Sequence, residues 1–196
     1  RLRTAVQNAK AVNMPKDRVE AAIKRASNKD ESGYEEIVYE GYAAHGVAIL
    51  IETATDNTNR TVANVRSYFN KTGGTLGKTG SLDFIFNRKS IFRFEPGDMD
   101  LEEMELDFID AGLEELYVET DEEGKELAVI QTSFEDFGKM QKALEEKGIE
   151  VKSAKLERIA LSHTEVTEEQ AADVFKLIDK LEEDDDVQAV YHNMAE

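Results

Sequence analysis

The chain has 196 residues, a length that allows one large domain or two to three small ones. Hydrophobic residues make up 40% and cysteine is absent, so the chain can bury a core but can form neither disulfides nor thiolate metal sites. The longest apolar run, Val47–Ile51, is far shorter than the roughly 20 residues of a membrane helix, and no signal-peptide core is present. We therefore expect a cytoplasmic protein without a membrane partner.

The formal net charge of −18 is unevenly distributed along the chain. Residues 1–30 carry +5, residues 31–94 carry no net charge and residues 95–196 carry −23. Such asymmetry is typical of a chain with one end that binds a polyanion and another that is solvated or binds a protein. A soluble acidic protein whose basic helix has no special role is the alternative.

Apolar residues spaced by three or four predict two N-terminal helices, which are separated by a turn at Asn13–Pro15. Pro15 suits the first turn of the second helix, because its missing N–H would be unpaired there in any case. A single helical hairpin has little to pack against, so we expect a further helix in a segment preceding Arg1. Residues 1–30 are predicted to form this helical domain, and the polar stretch Ser27–Gly33 a linker.

After the linker, the pattern predicts a mixture of strands and helices. The predicted elements of the first part are strands at 37–39 and 47–53, a helix from Asp56 or Asn57 to Gly73–Gly74, and a β-hairpin over 82–94. Those of the second part are a helix at 101–109, strands near 115–119 and 127–132, a helix at 134–147, a strand at 149–161, a helix at 171–181 and a strand at 187–191.

This order predicts an α+β fold class. The strand, helix and hairpin of residues 47–94 form a split β-α-β unit that lacks its last helix and strand, which the C-terminal helix and strand would supply. We therefore predict an α+β domain of residues 34–95 plus 163–196, and a second α+β domain of residues 97–162 inserted in it. Both would contain ferredoxin-like (split β-α-β) elements. Two sequential domains are the alternative.

A glycine-rich segment, Thr72–Gly80, is similar to a phosphate-binding P-loop but departs from it in two ways. Thr72 stands where the motif requires its first glycine, and the segment follows a helix instead of opening one. These departures argue against nucleotide hydrolysis. The segment remains a candidate for contacting a phosphate backbone through its N–H groups, with Lys71 and Lys78 beside it.

Neither the histidines nor the carboxylates show the spacing of a catalytic or metal site. His45, His163 and His192 are far apart in sequence, and none has a helical metal-ligand partner. Acidic runs such as Glu182–Asp186 are typical of a solvated helix end. We therefore predict a protein that is not an enzyme, with no catalytic residue, metal or cofactor.

The segment Thr55–Arg66 combines a helix start with many amide and guanidinium groups. A capped helix explains Asp56 or Asn57 as the cap, with Arg60 and Arg66 facing outward. The same amide and guanidinium groups also contact phosphate, ribose and base edges in nucleic-acid complexes. The residues leave both interpretations open.

Four motifs in order resemble the YebC/PmpR family, with the similarity dense from Arg1 to Phe94 and continuous to the C-terminus. They are Asn13–Asp17, Tyr34–Ile37 with Tyr39–Tyr42, Thr55–Asn57 with Asn59–Val62, and the loop from Gly73–Gly74 to Gly80–Ser81. The chain lacks the basic Lys-, His- and Trp-rich start usual in the family. It also departs from the family in the linker at Ala26–Gly33 and the turn at Ala44–His45.

The resemblance implies a helical domain followed by two α+β domains, and a role in gene expression. The family has been described as DNA-binding transcriptional regulators and as ribosome-associated factors that assist synthesis through proline-rich stretches; its organellar members activate translation of cytochrome oxidase. We expect the ribosome, through rRNA or tRNA, as the partner, with DNA as the alternative and a protein bound by the acidic C-terminal part. The predicted nucleic-acid contacts are Arg1, Arg3, Lys10, Lys16, Arg18, Lys24, Arg25, Asn57, Asn59, Arg60, Arg66, Lys71 and Lys78.

Overall fold

A computed structural model describes residues 2–27, 33–121 and 124–195. The helices are α1 (Leu2–Ala11), α2 (Lys16–Ser27), α3 (Thr58–Lys71), α4 (Leu101–Phe108), α5 (Phe137–Glu146) and α6 (Glu168–Glu182). The strands are β1 (Glu35–Tyr42), β2 (Ala48–Thr55), β3 (Thr75–Leu76), β4 (Phe86–Phe94), β5 (Leu113–Thr120), β6 (Glu126–Ser133), β7 (Val151–Ala160) and β8 (Val187–His192). The predicted α+β class is confirmed.

The chain divides into two compact units. One combines the N-terminal helices with Arg88–Glu157, and the other combines Ala26–Asn87 with Arg158–Glu196. The chain passes between the units inside β4 and again inside β7. The sequence-based boundaries at 97 and 162 stay a prediction. No helix among the described residues is long and apolar enough to cross a membrane.

The two predicted N-terminal helices are confirmed, and α1 packs against β7. The side-chain amide of Asn8 donates to the carbonyl oxygen of Ala154 at 3.0 Å and accepts from the Ala154 N–H at 3.1 Å. Since β7 is an edge strand, Asn8 satisfies backbone groups that no neighbouring strand pairs. Along α2 in the part whose side chains are described, Val19 and Ile23 are only partly buried.

The first sheet has the strand order β3-β1-β2-β8, and its pairs are antiparallel. Because β2 and β3 both run antiparallel to the β1 strand between them, β2-α3-β3 is a split β-α-β unit. Gly41 in β1 allows this close packing, since a Cβ there would lie 2.6 Å from the carbonyl oxygen of Thr75. The helix-facing core includes Ile49, Ile51, Val65, Phe69, Val174, Leu177 and Leu181.

The second sheet has the order β5-β6-β4-β7. With α4 between β4 and β5, and α5 between β6 and β7, this is a β-α-β-β-α-β unit of the ferredoxin-like kind. Its helix-facing core includes Phe92, Phe94, Met104, Phe108, Ile130, Met140 and Leu144. The expected ferredoxin-like elements are therefore present.

The predicted β-hairpin over 82–94 is wrong. Residues 82–85 form a turn in which the Ile85 N–H donates to the Leu82 carbonyl, and a single strand, β4, follows. Leu82, Ile85 and Phe86 pack against Ala48 and Leu50 on the face of the first sheet opposite α3. The polar stretch 87–90 looked like a turn, yet it lies within β4, which belongs to the second sheet and not to the first. The second strand of the split unit is instead the two-residue β3, which the sequence pattern did not predict.

Candidate nucleic-acid interface

The helix α3 and the loop after it form a stretch without any carboxylate. Residues 57–82 contain four basic residues and no Asp or Glu, whereas 26 residues at the chain average of 42 acids in 196 would contain five or six. The side of α3 that packs on the sheet carries the buried Thr61, Val65 and Phe69. The opposite side carries Arg66, Asn70 and Lys71, all exposed, which line a shallow concavity with Ala63 and Ser67. Polar and cationic groups therefore cover the outer face of α3.

The start of α3 is fixed by a cap and by a buried hydrogen-bond network. Asn57 is the cap, and its side-chain oxygen accepts from the Arg60 N–H at 3.1 Å. The carboxylate of Asp186 accepts hydrogen bonds from Thr55 at 3.2 Å and from Thr61 at 2.7 Å. Both threonines are fully buried, so this carboxylate is the internal acceptor that holds β2 and α3 together.

Arg60 belongs to the same network. Its Nη2 donates to Asp186 Oδ1 at 2.8 Å and to Asp56 Oδ1 at 3.0 Å. Hydrogen bonds with Asp186 and Asp56 raise the pKa of Arg60. Burial alone would raise the pKa of Asp186, but hydrogen bonds from Arg60, Thr61 and Thr55 outweigh burial and lower it. These contacts favour the structural interpretation of Arg60 that the sequence left open.

A second carboxylate, Asp184, holds the middle of α3; it lies in the acidic turn 182–186 that also contains Asp186. Asp184 accepts from the Asn64 side chain at 3.1 Å and from the Tyr68 hydroxyl at 2.9 Å. Burial, followed by this hydrogen bond, raises the pKa of Tyr68. The expectation that 182–186 is a solvated helix end is therefore wrong for Asp184 and Asp186, because both face α3. It fits Asp185, which is exposed.

Three of the predicted basic contacts on this surface have side chains free to bind a ligand. Arg66, Lys71 and Lys78 are exposed, and no ion pair involves them within the part of the chain that the structure describes. Asn59 is exposed one turn before Ala63. An unpaired cation can bind a nucleic-acid phosphate and displace its counterion without first breaking an ion pair within the protein.

The amides of Gly77, Gly80 and Leu82, in and just after the glycine-rich loop, are bound within the protein and are not available to a phosphate. The N–H groups of Gly80 and Leu82 donate to the carboxylate of Glu40 at 2.9 and 2.7 Å. The Gly77 N–H donates to the Glu40 carbonyl at 2.7 Å, and Glu40 is only 3% exposed. An internal carboxylate thus occupies the anion position that a phosphate takes in a P-loop. The loop is held in one shape, and Lys78 projects from it.

The N-terminal basic residues differ in their availability. Arg3 pairs with Glu145 at 3.0 Å, and Lys16 pairs with Glu20 at 3.5 Å. The exposed Lys10, Arg18 and Lys24 have no ion pair with another described residue. Arg1 and the side chain of Arg25 lie outside the described residues.

The face of the second sheet that points away from its helices is buried at Ile91 and Val129, and it lacks the chemistry that ferredoxin-like RNA-binding domains use. Such domains stack bases on aromatic residues of their two central strands. Here Phe92 and Phe94 point to the helices, so that Ile91 and Arg93 of the central strand β4 face the other way. Arg93 is bound by Glu119 and Glu157, both at 2.7 Å. Burial alone would lower the pKa of Arg93, but these hydrogen bonds outweigh burial and raise it.

Sequence reasoning missed Glu40, Asp184, Asp186 and Asn8 as the residues that shape these surfaces. Their roles depend on partners 40 to 146 positions away, which no local pattern reveals. One signal was available for the surface itself, namely the absence of carboxylates from 57–82 in so acidic a chain. Among the described residues there is no group of three or more His, Asp or Glu arranged to hold a metal ion.

The fold places the chain among α+β proteins that combine a helical hairpin with two split β-α-β sheets. Residues 34–194 match the model of the second and third domains of TACO1/YebC proteins. Proteins called "Probable transcriptional regulatory protein" from Cytophaga hutchinsonii and Anaeromyxobacter dehalogenans are 58% and 54% identical. These matches cover 100% and 99% of this chain and 80% and 81% of those proteins. The chain belongs to the TACO1/YebC family.

A solved structure also resembles this fold. The crystal structure of a conserved hypothetical protein from Aquifex aeolicus has a TM-score of 0.79 and 37% sequence identity. The match covers 98% of this chain and 78% of that one. The resemblance to the family inferred from the motifs is thereby confirmed.

Proposed function

We propose that this protein is a non-enzymatic regulator of gene expression that acts as a ribosome-associated translation factor, assisting synthesis through proline-rich stretches. The observation that carries the proposal is the stretch of α3 and its loop, residues 57–82, which contains no carboxylate and has Arg66, Lys71 and Lys78 unpaired. In a chain of net charge −18, such a surface is suited to contact with the phosphates of rRNA or tRNA. The protein partner expected for the acidic part belongs to the same proposal.

The charge distribution favours RNA in a large particle over duplex DNA. A protein that wraps DNA needs cations along its length, whereas the net positive charge of this chain is confined to two stretches, residues 1–30 and residues 57–94. The remaining acidic surface would be repelled by a duplex that it followed. A localised contact with one segment of a ribosome avoids that repulsion.

The second candidate is a DNA-binding transcriptional regulator. The names of the relatives from Cytophaga and Anaeromyxobacter favour it. The outer face of α3 also supports it, because Asn and Arg side chains are those that read base edges in a major groove. Arg66 and Asn70, one turn apart and exposed, have this chemistry.

Co-sedimentation with purified ribosomes distinguishes the two candidates. The protein is mixed with ribosomes at one near-physiological salt concentration, with and without an excess of duplex DNA. We expect it to pellet with ribosomes in both cases, because its contact is to a ribosomal site. Transfer of the protein to the supernatant with the DNA would overturn the translation proposal and support the transcriptional one.

A further inference from the structure

Leu106 of α4 and Ile109, which follows α4 directly and keeps helical backbone angles, are two exposed apolar residues on the side that faces away from the core. Met104 and Phe108 are buried, at 6% and 1% exposure, and hold α4 on the second sheet. Leu106 and Ile109 are 72% and 58% exposed. Because residues three apart on a helix are neighbours, these two side chains form one apolar patch. No requirement of the fold explains it.

The patch lies in the most acidic part of the chain. Residues 95–124 contain fourteen carboxylates and no Lys or Arg, so the remaining 166 residues together carry only −4. Around the patch, Glu102, Glu103, Glu105 and Asp110 are exposed, and none has an ion pair with any other described residue. By contrast, their neighbour Asp107 is paired with Lys147.

We propose that this face of α4 docks a basic protein segment that carries apolar side chains. Apolar burial on Leu106 and Ile109 would provide contact energy, and the surrounding carboxylates would select Lys and Arg at the rim. Nucleic acid is repelled by the same carboxylates. A second copy of this chain bound by the same face would bring Glu102, Glu103, Glu105 and Asp110 against the same four carboxylates of the other copy, which disfavours it.

This inference rests on the proposed function only in that a protein partner binds the acidic part. It does not require the α3 surface to bind RNA, because α3 belongs to the other compact unit. The two ideas therefore fail separately. If the RNA contact is absent, binding of a basic peptide to α4 is unchanged. If peptide binding is absent, ribosome binding is unchanged.

The test uses two synthetic helical peptides with equal numbers of lysines. One has leucines along one helical face, and the other has serines at those positions. Fluorescence anisotropy at fixed salt measures binding to the full chain and to Leu106→Ser/Ile109→Ser. Phe175→Ser is the matched control, since Phe175 is an exposed apolar residue, at 47%, on α6 of the other unit. Circular dichroism checks that each variant is folded.

We expect the full chain to bind the leucine peptide at least tenfold more tightly than the serine peptide. The double variant should lose that preference and the control should keep it. Equal affinities for the two peptides would overturn the proposal, as would an unchanged preference in the double variant. A dimer of the chain that dissociates on Leu106→Ser/Ile109→Ser would also overturn it, because the occupant would then be a second copy.

Discussion

Replacing Asp186 by alanine removes the carboxylate that joins α3 to β2 and to the acidic turn. This side chain accepts from Thr55, Thr61 and Arg60, at distances between 2.7 and 3.2 Å. Asp185, the adjacent residue, is exposed and provides a matched control of the same charge. If the network anchors α3, only the first substitution should matter.

The expected cost follows from the hydrogen bonds that are lost. Without the carboxylate, the buried Thr61 hydroxyl can still donate to the Asn57 carbonyl oxygen at 3.0 Å, and the buried Thr55 hydroxyl can donate to the Thr61 hydroxyl oxygen at 2.7 Å. The cost is therefore the exchange of two hydrogen bonds to a charged acceptor, worth about 1.5–3 kcal/mol each, for weaker bonds to neutral oxygens, worth about 0.5–1.5 kcal/mol each. The Arg60 side chain is 47% exposed, so the broken ion pair adds little. We expect Asp186→Ala to lower the free energy of unfolding by about 2–4 kcal/mol.

Urea unfolding followed by circular dichroism measures this difference. Asp185→Ala should change the free energy of unfolding by no more than about 0.5 kcal/mol, as is usual for a surface substitution. If Asp186→Ala unfolds at the same urea concentration as Asp185→Ala, the network does not anchor α3, and the structural role assigned here to Asp186 and Arg60 is refuted.

Three further predictions concern the same structure. Because the pKa of Asp186 is lowered below its ordinary value of 3.8, its stabilisation is complete above that value and is lost as the pH falls through the lowered one; Asp186→Asn should therefore flatten the acid-unfolding curve below about pH 4. Glu40→Gln leaves one acceptor oxygen where the carboxylate has two, so hydrogen exchange of either the Gly80 amide or the Leu82 amide should become faster. Asn8→Ala removes both bonds to Ala154, and the amide of Ala154 should lose protection while β6 keeps its own.

Local patterns were sufficient for the elements with a clear period and clear ends. The apolar face of α3 and the C-terminal helix and strand were predicted and are confirmed, and the cap of α3 is Asn57, one of the two residues that the sequence allowed. These depend on residues close in sequence, such as the side chain of Asn57 and the Arg60 N–H. Hydrophobic periodicity and helix capping depend on residues close in sequence, and they were sufficient to predict the α+β fold class.

The prediction of a β-hairpin was wrong because the polar stretch 87–90 forms part of a strand and not a turn. Residues 87–90 are polar, yet Ser90 is fully buried in β4 and its hydroxyl donates to the carbonyl of Ser133. Its neighbour Lys89 pairs with Glu114 of the second sheet. Partners more than twenty residues away satisfied these groups, and a local pattern contains no information about them.

The candidate site was predicted in part. Composition pointed to cationic surfaces, but it did not distinguish Arg60, whose guanidinium is bound by two carboxylates, from Arg66, which is unpaired. The glycine-rich loop was a candidate for contacting phosphate through its amides, and a buried glutamate from β1 binds those of Gly80 and Leu82. Both distinctions depend on tertiary contacts between distant segments.

The most direct test of the central claim compares two double charge reversals in ribosome binding. Arg66→Glu/Lys71→Glu reverses two unpaired cations of α3, and Lys139→Glu/Lys180→Glu changes two exposed lysines on α5 and α6 by the same charge. We predict that the first variant binds ribosomes at least tenfold more weakly, with the salt dependence of binding reduced by about one counterion per contact removed, while the second binds like the unmodified chain. Equal binding by both variants would contradict the assignment of α3 as the nucleic-acid interface.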